Sequence, residues 1–319
     1  MRYFCAVLDD YQDVSRRLAD WSACGPDVDI TVFNNRLDGD EAVSRALADF
    51  HIVCLMRERT PFPRTVIEAL PNLRLIVTTG MRNAAIDLVA ARDCGVMVCG
   101  TQTSGQATAE LVFAHMLEFA RKVGFENAQL KKGQPWQTTV GIDLAGKTLG
   151  VVGLGRLGRR VAQIGAAFGM NVIAWSENLT RAKCEGTAAK CVSKEELLST
   201  ADFVSIHLQL SDRTRGLFQA ADLALLKPAA FLINTSRGPI IDEAALIEIL
   251  RDGRIAGAGI DVFDAEPLAR DHPFRSIARA QITPHLGYVT TDGYRLGYGQ
   301  TVEDIAAFIA GKPVRIIEA

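Results

Sequence analysis

The chain carries no block of clustered Lys and Arg, no C-x-x-C pair, no low-complexity linker and no repeat at solenoid periods. It also has no apolar run near the roughly 20 residues that span a membrane. Each absence removes a class of function. A net charge of −2 with both signs interspersed offers no footprint for a polyanion, so no nucleic-acid partner is expected. The seven cysteines, at 5, 24, 54, 94, 99, 184 and 191, are odd in number and scattered. That pattern fits reduced thiols better than a disulfide framework or a zinc site. The opening MRYFCAVLDDYQD has too short an apolar run for a signal peptide, and acids follow at once. The expectation is a cytoplasmic protein with no metal and no membrane contact.

What the chain does have is hydrophobic content, 48% of 319 residues, enough for two domain cores. Short apolar runs alternate with helix-like segments. YFCAVLD, VDITVF, HIVCLM and LRLIVTT read as strands, with EAVSRALAD and TVIEAL as helices between them. This alternation predicts βαβ units and a parallel sheet covered on both faces. GVMVCG closes the first set, and TSGQATAELVFAHMLEFARK follows as one long helix with Thr or Ser near its start to cap it. A second series then begins, with TLGVVG, NVIAWS, ADFVSIHL, AAFLINTS, AGAGIDVF and ARAQITPH as strands. Two domains without a linker imply that the chain crosses between them more than once. The expectation is an α/β protein, with residues 1–100 and 288–319 forming a discontinuous domain around a dinucleotide-binding domain at 101–287.

GVVGLGRLGRRVA holds Gly153-x-Gly155-x-x-Gly158 directly after an apolar strand and directly before a helix. In that context each glycine has a mechanical task. Gly153 permits a tight turn, Gly155 lets the backbone approach a pyrophosphate, and Gly158 lets helix and strand pack closely. The helix start then offers unpaired N–H groups and partial positive charge to phosphates. A dinucleotide is implied. Such folds usually end the next strand in an acid that binds a ribose hydroxyl and repels a 2′-phosphate. Here Ser176 falls at that place, 18 residues after Gly158, with Asn178, Thr180 and Arg181 as phosphate partners close behind. Glu177 takes the ribose instead if the strand runs one residue longer. NAD and NADP both stay open, with the balance slightly toward NADP.

Ligands of open α/β sheets sit beyond the carboxyl ends of the strands. Arg237 in LINTSRG, Glu266 in DVFDAEP and His285 in TPHLG all fall at such ends. An arginine fork can bind a carboxylate bidentately and polarise a carbonyl as charge develops. A histidine can deliver a proton near neutral pH, and a carboxylate can fix its tautomer. Structural alternatives stand beside each. His285 after a proline can be a turn residue, Glu266 a solvated loop acid, and Arg237 a surface partner of Asp242.

The motifs DLAGKTLGVVGLGRLGRRVA, VSIHLQLSDRTRGL, FLINTSRGPIIDEAAL, AGAGIDVFDAEPL and ITPHLGYVT resemble, in order, those of the D-isomer-specific 2-hydroxyacid dehydrogenases. The resemblance implies a Rossmann cofactor domain inside a discontinuous flavodoxin-like substrate domain, with a cleft that closes. It implies an NAD(P)-dependent enzyme interconverting small 2-oxo acids and D-2-hydroxy acids. His285 would be the acid/base, Glu266 its support and Arg237 the substrate's partner. Asp261 would meet the nicotinamide carboxamide, with Thr108, Arg156, Leu157, His207, Thr235 and Gly287 also lining the cofactor. VTTGMRNAAID matches a loop whose amides cradle the substrate carboxylate around Gly80, Met81 and Arg82, and Arg57 matches a strand-end position of the substrate domain. A homodimer through the cofactor domain is also implied, with Lys131, Lys132 and Trp136 in the connector such dimers use.

The chain departs from the family pattern at two places. Gln209 in HLQL stands where proline is common, and Arg82 stands where many members carry a small residue. Relatives that use the same fold as nucleotide-sensing co-regulators keep an alternative of another class open, as do dehydrogenases of formate or phosphite.

Overall fold

The structure, a computed structural model, describes residues 2–319. The chain divides into two compact units, Met1–Ser104 with Thr290–Ala319, and Gly105–Val289.

The first unit is built on β1 (Tyr3–Val7), β2 (Val28–Val32), β3 (Ile52–Leu55), β4 (Leu75–Thr78) and β5 (Met97–Gly100). They pair in the order β2-β1-β3-β4-β5, every pair parallel, which is the flavodoxin-like order. IVCL in β3 and LIVT in β4 are buried at every position. Central strands of a parallel sheet face helices on both sides, so they read as continuous apolar runs and not as alternations. One face is filled by Val43, Leu47, Val66, Ile67 and Ala90. The helix Thr291–Ile309 returns from the far end of the chain and buries Tyr294, Tyr298, Val302 and Ile305.

The second unit holds β6 (Thr148–Val152), β7 (Asn171–Trp175), β8 (Lys190–Cys191), β9 (Phe203–Ile206), β10 (Phe231–Asn234), β11 (Gly257–Ile260) and β12 (Ala280–Ile282). Their order is β12-β11-β10-β9-β6-β7-β8, all parallel, so strand order reverses between β6 and β9 as in a Rossmann sheet. Two apolar clusters form its core. Leu197, Phe218, Leu246 and Ile249 belong to one, and Val112, Met116, Val161 and Phe203 to the other. The glycines inside these strands are packing choices. A Cβ on Gly150 would fall 2.7 Å from Leu197, and one on Gly259 would fall 2.9 Å from the His115 ring.

The segment read as one long helix is a single helix, and a shorter one follows it. The first, Gln106–Arg121, starts from Gly105 in a left-handed conformation (φ 71°) with no side-chain cap, not from the expected Thr or Ser. It ends at Lys122, also left-handed (φ 50°), and Val123–Lys131 follows as a separate helix. Other starts follow side-chain capping: Asp87, Ser193, Asp242 and Thr290 each accept a first-turn N–H. No described helix is long and apolar enough to cross a membrane. All seven cysteines are free thiols.

Candidate active site

At the end of β6 the three glycines separate into three tasks. Gly153 is left-handed (φ 93°), and a Cβ on it would sit 2.8 Å from the His207 carbonyl oxygen. On Gly158 a Cβ would fall 1.9 Å from the Gly153 oxygen, so helix and loop backbones meet only because it is absent. Gly155 differs, because a Cβ there would touch nothing in the chain. Packing does not demand glycine at 155, and its absent side chain leaves the backbone there open to a close-approaching group. The helix Arg156–Ala167 starts at this point with its amides directed to the loop.

Two polar groups at neighbouring strand ends are unmatched. Both ring nitrogens of His207, past β9, are shielded from solvent without a hydrogen-bond partner, and so is Thr235 Oγ1, past β10. Burial alone pushes His207 down to about 3, so the ring is neutral. Unsatisfied buried groups cost free energy, and their gathering beside a bare glycine loop suits a polar ligand such as a dinucleotide. β7 ends at Trp175, making half-buried Ser176 the first residue past the strand. Glu177 and Asn178 form an exposed turn closed by Leu179 N–H donating to the Ser176 carbonyl at 2.9 Å. Thr180 caps the short helix Arg181–Cys184, and the Asn178 carbonyl accepts from Lys183 at 2.9 Å.

Arg237, Glu266 and His285 follow β10, β11 and β12. Asn234 at the end of β10 shapes the first turn: its amide donates to the Arg237 carbonyl at 2.9 Å and its oxygen accepts from Ser236 N–H at 3.0 Å. Glu266 Oε1 accepts from Phe263 N–H at 3.0 Å, and its Oε2 lies 2.6 Å from His285 Nδ1. A carboxylate can only accept, so Nδ1 carries the proton and Nε2 is the ring atom able to exchange one. The pair is 21% exposed at His285 and 35% at Glu266, reachable yet partly desolvated. His285 has φ 52°, a left-handed backbone that a non-glycine residue keeps only when its surroundings hold it.

Asp261 does that holding. Oδ1 accepts from Thr283 Oγ1 at 2.6 Å and Leu286 N–H at 2.7 Å, and Oδ2 accepts from Gly287 N–H at 2.9 Å. The His285 N–H donates to the Asp261 carbonyl at 2.9 Å. Thr108 adds a further tie, donating to the Gly287 carbonyl at 2.7 Å. Thr108, Asp261 and Gly287 therefore serve one another as well as anything bound beside them. Burial pushes the Asp261 carboxyl above the ordinary range, while the Thr283 hydroxyl and the turn amides pull it back. Thr283 lies in the ITPHLGYVT motif, but nothing in the sequence assigns it a role, and only its contact with Asp261 reveals one.

In the first unit, Arg57 follows β3 with φ 55°, also left-handed. Its N–H donates to Thr79 Oγ1 at 2.9 Å, and its carbonyl accepts from the Asn83 amide at 2.7 Å. The guanidinium lies against Gly80, where a Cβ would fall 2.1 Å from Nη1. Gly80 N–H donates to Thr101 Oγ1 at 3.1 Å, so it joins a carboxylate cradle only by giving up that bond. Met81 and Arg82 are exposed beside it. Among the described residues no group of three or more His, Cys, Asp or Glu is placed to hold a metal.

A glycine loop at a strand-order reversal, with a His–carboxylate pair at neighbouring strand ends, defines a nicotinamide-dependent oxidoreductase fold. The family model described as D-isomer specific 2-hydroxyacid dehydrogenase, NAD binding domain, matches residues 113–287. The glyoxylate reductase of Aeropyrum pernix is 37% identical over 258 residues, 77% of this chain and 76% of that one. The D-3-phosphoglycerate dehydrogenase of Mycobacterium bovis is 34% identical over 261 residues, 81% of this chain but 49% of its own, so this chain spans about half that relative's length. A solved phosphoglycerate oxidoreductase from Vibrio cholerae matches with TM-score 0.91 at 34% identity, covering 97% of this chain and 99% of that one. The chain belongs to the D-isomer specific 2-hydroxyacid dehydrogenases. It is an oxidoreductase of that family.

Proposed function

We propose that the protein reduces small 2-oxo acids to D-2-hydroxy acids, with His285 as acid/base, Glu266 as its support and Arg237 as the substrate's carboxylate partner. The observation that carries this reading is the 2.6 Å pair between His285 Nδ1 and Glu266 Oε2. Glu266 stabilises the imidazolium, and Nε2–H donates its proton to the carbonyl oxygen as negative charge develops there. After the transfer the ring is neutral with Nδ1–H still on Glu266, and the reverse reaction returns the hydroxyl proton to Nε2. A reduced nicotinamide, when bound, supplies the hydride. Gly155, the first amides of the helix Arg156–Ala167, Thr235 and His207 are the groups that would hold that cofactor. Arg57 and the Gly80–Arg82 segment are assigned to the substrate's carboxylate end.

We further infer a preference for NADPH, since β7 ends at Trp175 and leaves uncharged Ser176 at the position of the usual acid. A homodimer through the second unit is also part of the reading. Val123, Leu130, Trp136 and Val140 are 53–96% exposed there, beside a groove lined by Phe119, Ile142 and Phe231. Sedimentation as a monomer would remove that part.

The test is loss of reduced-nicotinamide absorbance with glyoxylate, hydroxypyruvate and pyruvate, for wild type, His285→Gln and Glu266→Gln. Turnover by wild type and a fall of about 10²–10⁴-fold in kcat for His285→Gln are expected, with Glu266→Gln between them. Full turnover by His285→Gln would remove the acid/base assignment. Silence of the wild type with every acid, alongside tight cofactor binding, would turn the reading toward a nucleotide-sensing protein.

A further inference from the structure

His115 has no part in the chemistry proposed above, yet it is 0% exposed in the middle of the helix Gln106–Arg121. Its Nε2 lies 3.2 Å from Thr283 Oγ1, and that hydroxyl lies 2.6 Å from Asp261 Oδ1. Asp261 in turn takes backbone N–H groups from His285, Leu286 and Gly287. A continuous line of buried polar contacts thus runs from the helix to the turn that carries His285.

The line has one possible direction. Asp261 Oδ1 already accepts from Leu286 N–H, and a carboxylate has no proton to give. The single hydroxyl proton of Thr283 therefore goes to Asp261, and the 2.6 Å separation suits a charge-assisted bond. Thr283 is left with lone pairs toward His115, so His115 must be the tautomer with its proton on Nε2. The neutral state agrees with burial, which pushes this imidazole down to about 4 while the Gln281 side chain beside it pulls weakly the other way. Nδ1 has no partner within hydrogen-bond geometry, although the Gln281 side chain lies near enough to the ring to raise its pKa. A buried unmatched nitrogen is destabilising, and an apolar residue in the same space would avoid that cost. β11 even carries glycine at 259 to admit the ring. The fold tolerates that cost, and what it obtains is the Nε2–H.

We propose that His115 is a positioning residue for His285: through Thr283 it commits a hydroxyl proton to Asp261, and so keeps Asp261 an acceptor that holds the Thr283–Gly287 turn. This rests on the reading of His285 as acid/base. Without the relay, Asp261 loses a donor, and the left-handed His285 backbone (φ 52°) loses part of what over-determines it. Among the described residues, the charged or titratable groups seen facing the His285 ring or its turn include Glu266, Asp261 and Tyr288, which meets the ring edge-on at 5.4 Å between centroids.

The experiment uses His115→Phe and Thr283→Val, which cut the same relay at two points, with Thr283→Ser as the conservative control. Two quantities are read: kcat and KM with a 2-oxo acid, and the His285 imidazole titration by NMR in protein without cofactor, assigned with His285→Gln. Both cuts should lower kcat about tenfold with KM within about twofold, since positioning acts on the reacting geometry and not on substrate affinity. Both should move the His285 midpoint by roughly half a pH unit, and Thr283→Ser should restore most of kcat and the midpoint. If His115→Phe fails to fold, Thr283→Val still decides the question. An unmoved His285 midpoint in Thr283→Val, or equal loss in Thr283→Ser, would overturn the proposal and leave His115 as packing. A moved midpoint together with full turnover by His285→Gln would remove the acid/base reading and not the relay.

Discussion

The sheets of both units reverse their strand order once, at β1/β3 in the first and at β6/β9 in the second, and ligands of α/β proteins gather at such reversals. The two places are furnished in opposite ways. Past β1 and β3 the chain supplies its own partners. Thr60 Oγ1 donates to Asp9 Oδ2 at 2.7 Å, Arg59 donates to the Asp9 carbonyl at 2.6 Å, and the Arg59 guanidinium lies 4.5 Å over the Tyr11 ring. Asp9 is 1% exposed as a result. Past β6 and β9 partners are withheld: glycine at 153, 155 and 158, and a His207 ring with neither nitrogen bonded. Topology alone therefore does not mark the proposed dinucleotide site; unmatched polar groups and bare backbone are what distinguish the second reversal from the first.

The largest effect should come from the glycines of the second unit, and two of them split the comparison. Gly158→Ala forces a methyl to 1.9 Å from the Gly153 oxygen, a backbone atom that cannot swing aside. It should cost about 3 kcal/mol or more of stability, read by urea unfolding of the cofactor-free protein. Gly155→Ala meets nothing in the chain and should leave the unfolding midpoint unchanged while weakening reduced-nicotinamide binding, followed by fluorescence titration, about a hundredfold. Equal binding by wild type and Gly155→Ala would mean that this reversal is as self-contained as the one at β1/β3.

These glycines were legible from spacing because each replaces a side chain with a backbone task that no other residue performs. The strand ends bearing Arg237, Glu266 and His285 were legible for a related reason, since apolar runs stop there at groups useless for packing. The Asp261 knot was not legible as a knot. Thr283 and His115 are 168 residues apart, and a histidine inside an amphipathic helix looks like any half-polar position until its partner is seen. The start of the helix Gln106–Arg121 misled for a different reason. Gly105 occupies the N-cap position in a left-handed conformation, a place where a side-chain cap is the usual signal and glycine has none to give. The place of Ser176 depended on a strand boundary, which local propensity does not fix to one residue.

A second contrast lies in what each unit buries. The second unit buries neutral histidines, with His115 down at about 4 and His207 at about 3, both through burial. The first buries an acid: Asp304 is pushed up to about 7 because burial outweighs its Arg315 partner, and Asp9 is raised in the same direction. The signs oppose. A histidine with a lowered folded pKa contributes fully above its unfolded value near 6.5, and that contribution is lost as pH falls through about 4. For His115 the loss is on the order of 3 kcal/mol once complete. An acid with a raised folded pKa contributes fully below its unfolded value near 3.8, and that contribution is lost as pH rises through about 7. Asp261, also raised, offsets part of the histidine effect in the second unit. Acidification from pH 7 to 5 should therefore weaken the second unit and strengthen the first. Trp21 reports the first and Trp175 the second once exposed Trp136 is replaced by Phe, so urea unfolding by fluorescence separates them. Parallel movement of both midpoints would dissolve this contrast.

The smallest effect concerns the margin of the second reversal, where the end of β7 sets which nicotinamide fits. Ser176→Asp restores the acid that would accept from a ribose hydroxyl and repel a 2′-phosphate. It should raise KM for NADPH about tenfold while lowering that for NADH, since one like charge near a partly exposed phosphate is worth roughly 1–1.5 kcal/mol. Arg181→Ala removes an exposed cation and should weaken NADPH by less, because surface pairs are screened by water and salt. The two effects should also differ in salt dependence, with Arg181 losing its contribution as ionic strength rises. If wild type already prefers NADH, and Glu177→Ala rather than Ser176→Asp changes that preference, the turn has moved Glu177 into the acid's place when cofactor binds. Selectivity would then belong to the mobility of the 176–179 turn and not to the residue at which β7 ends.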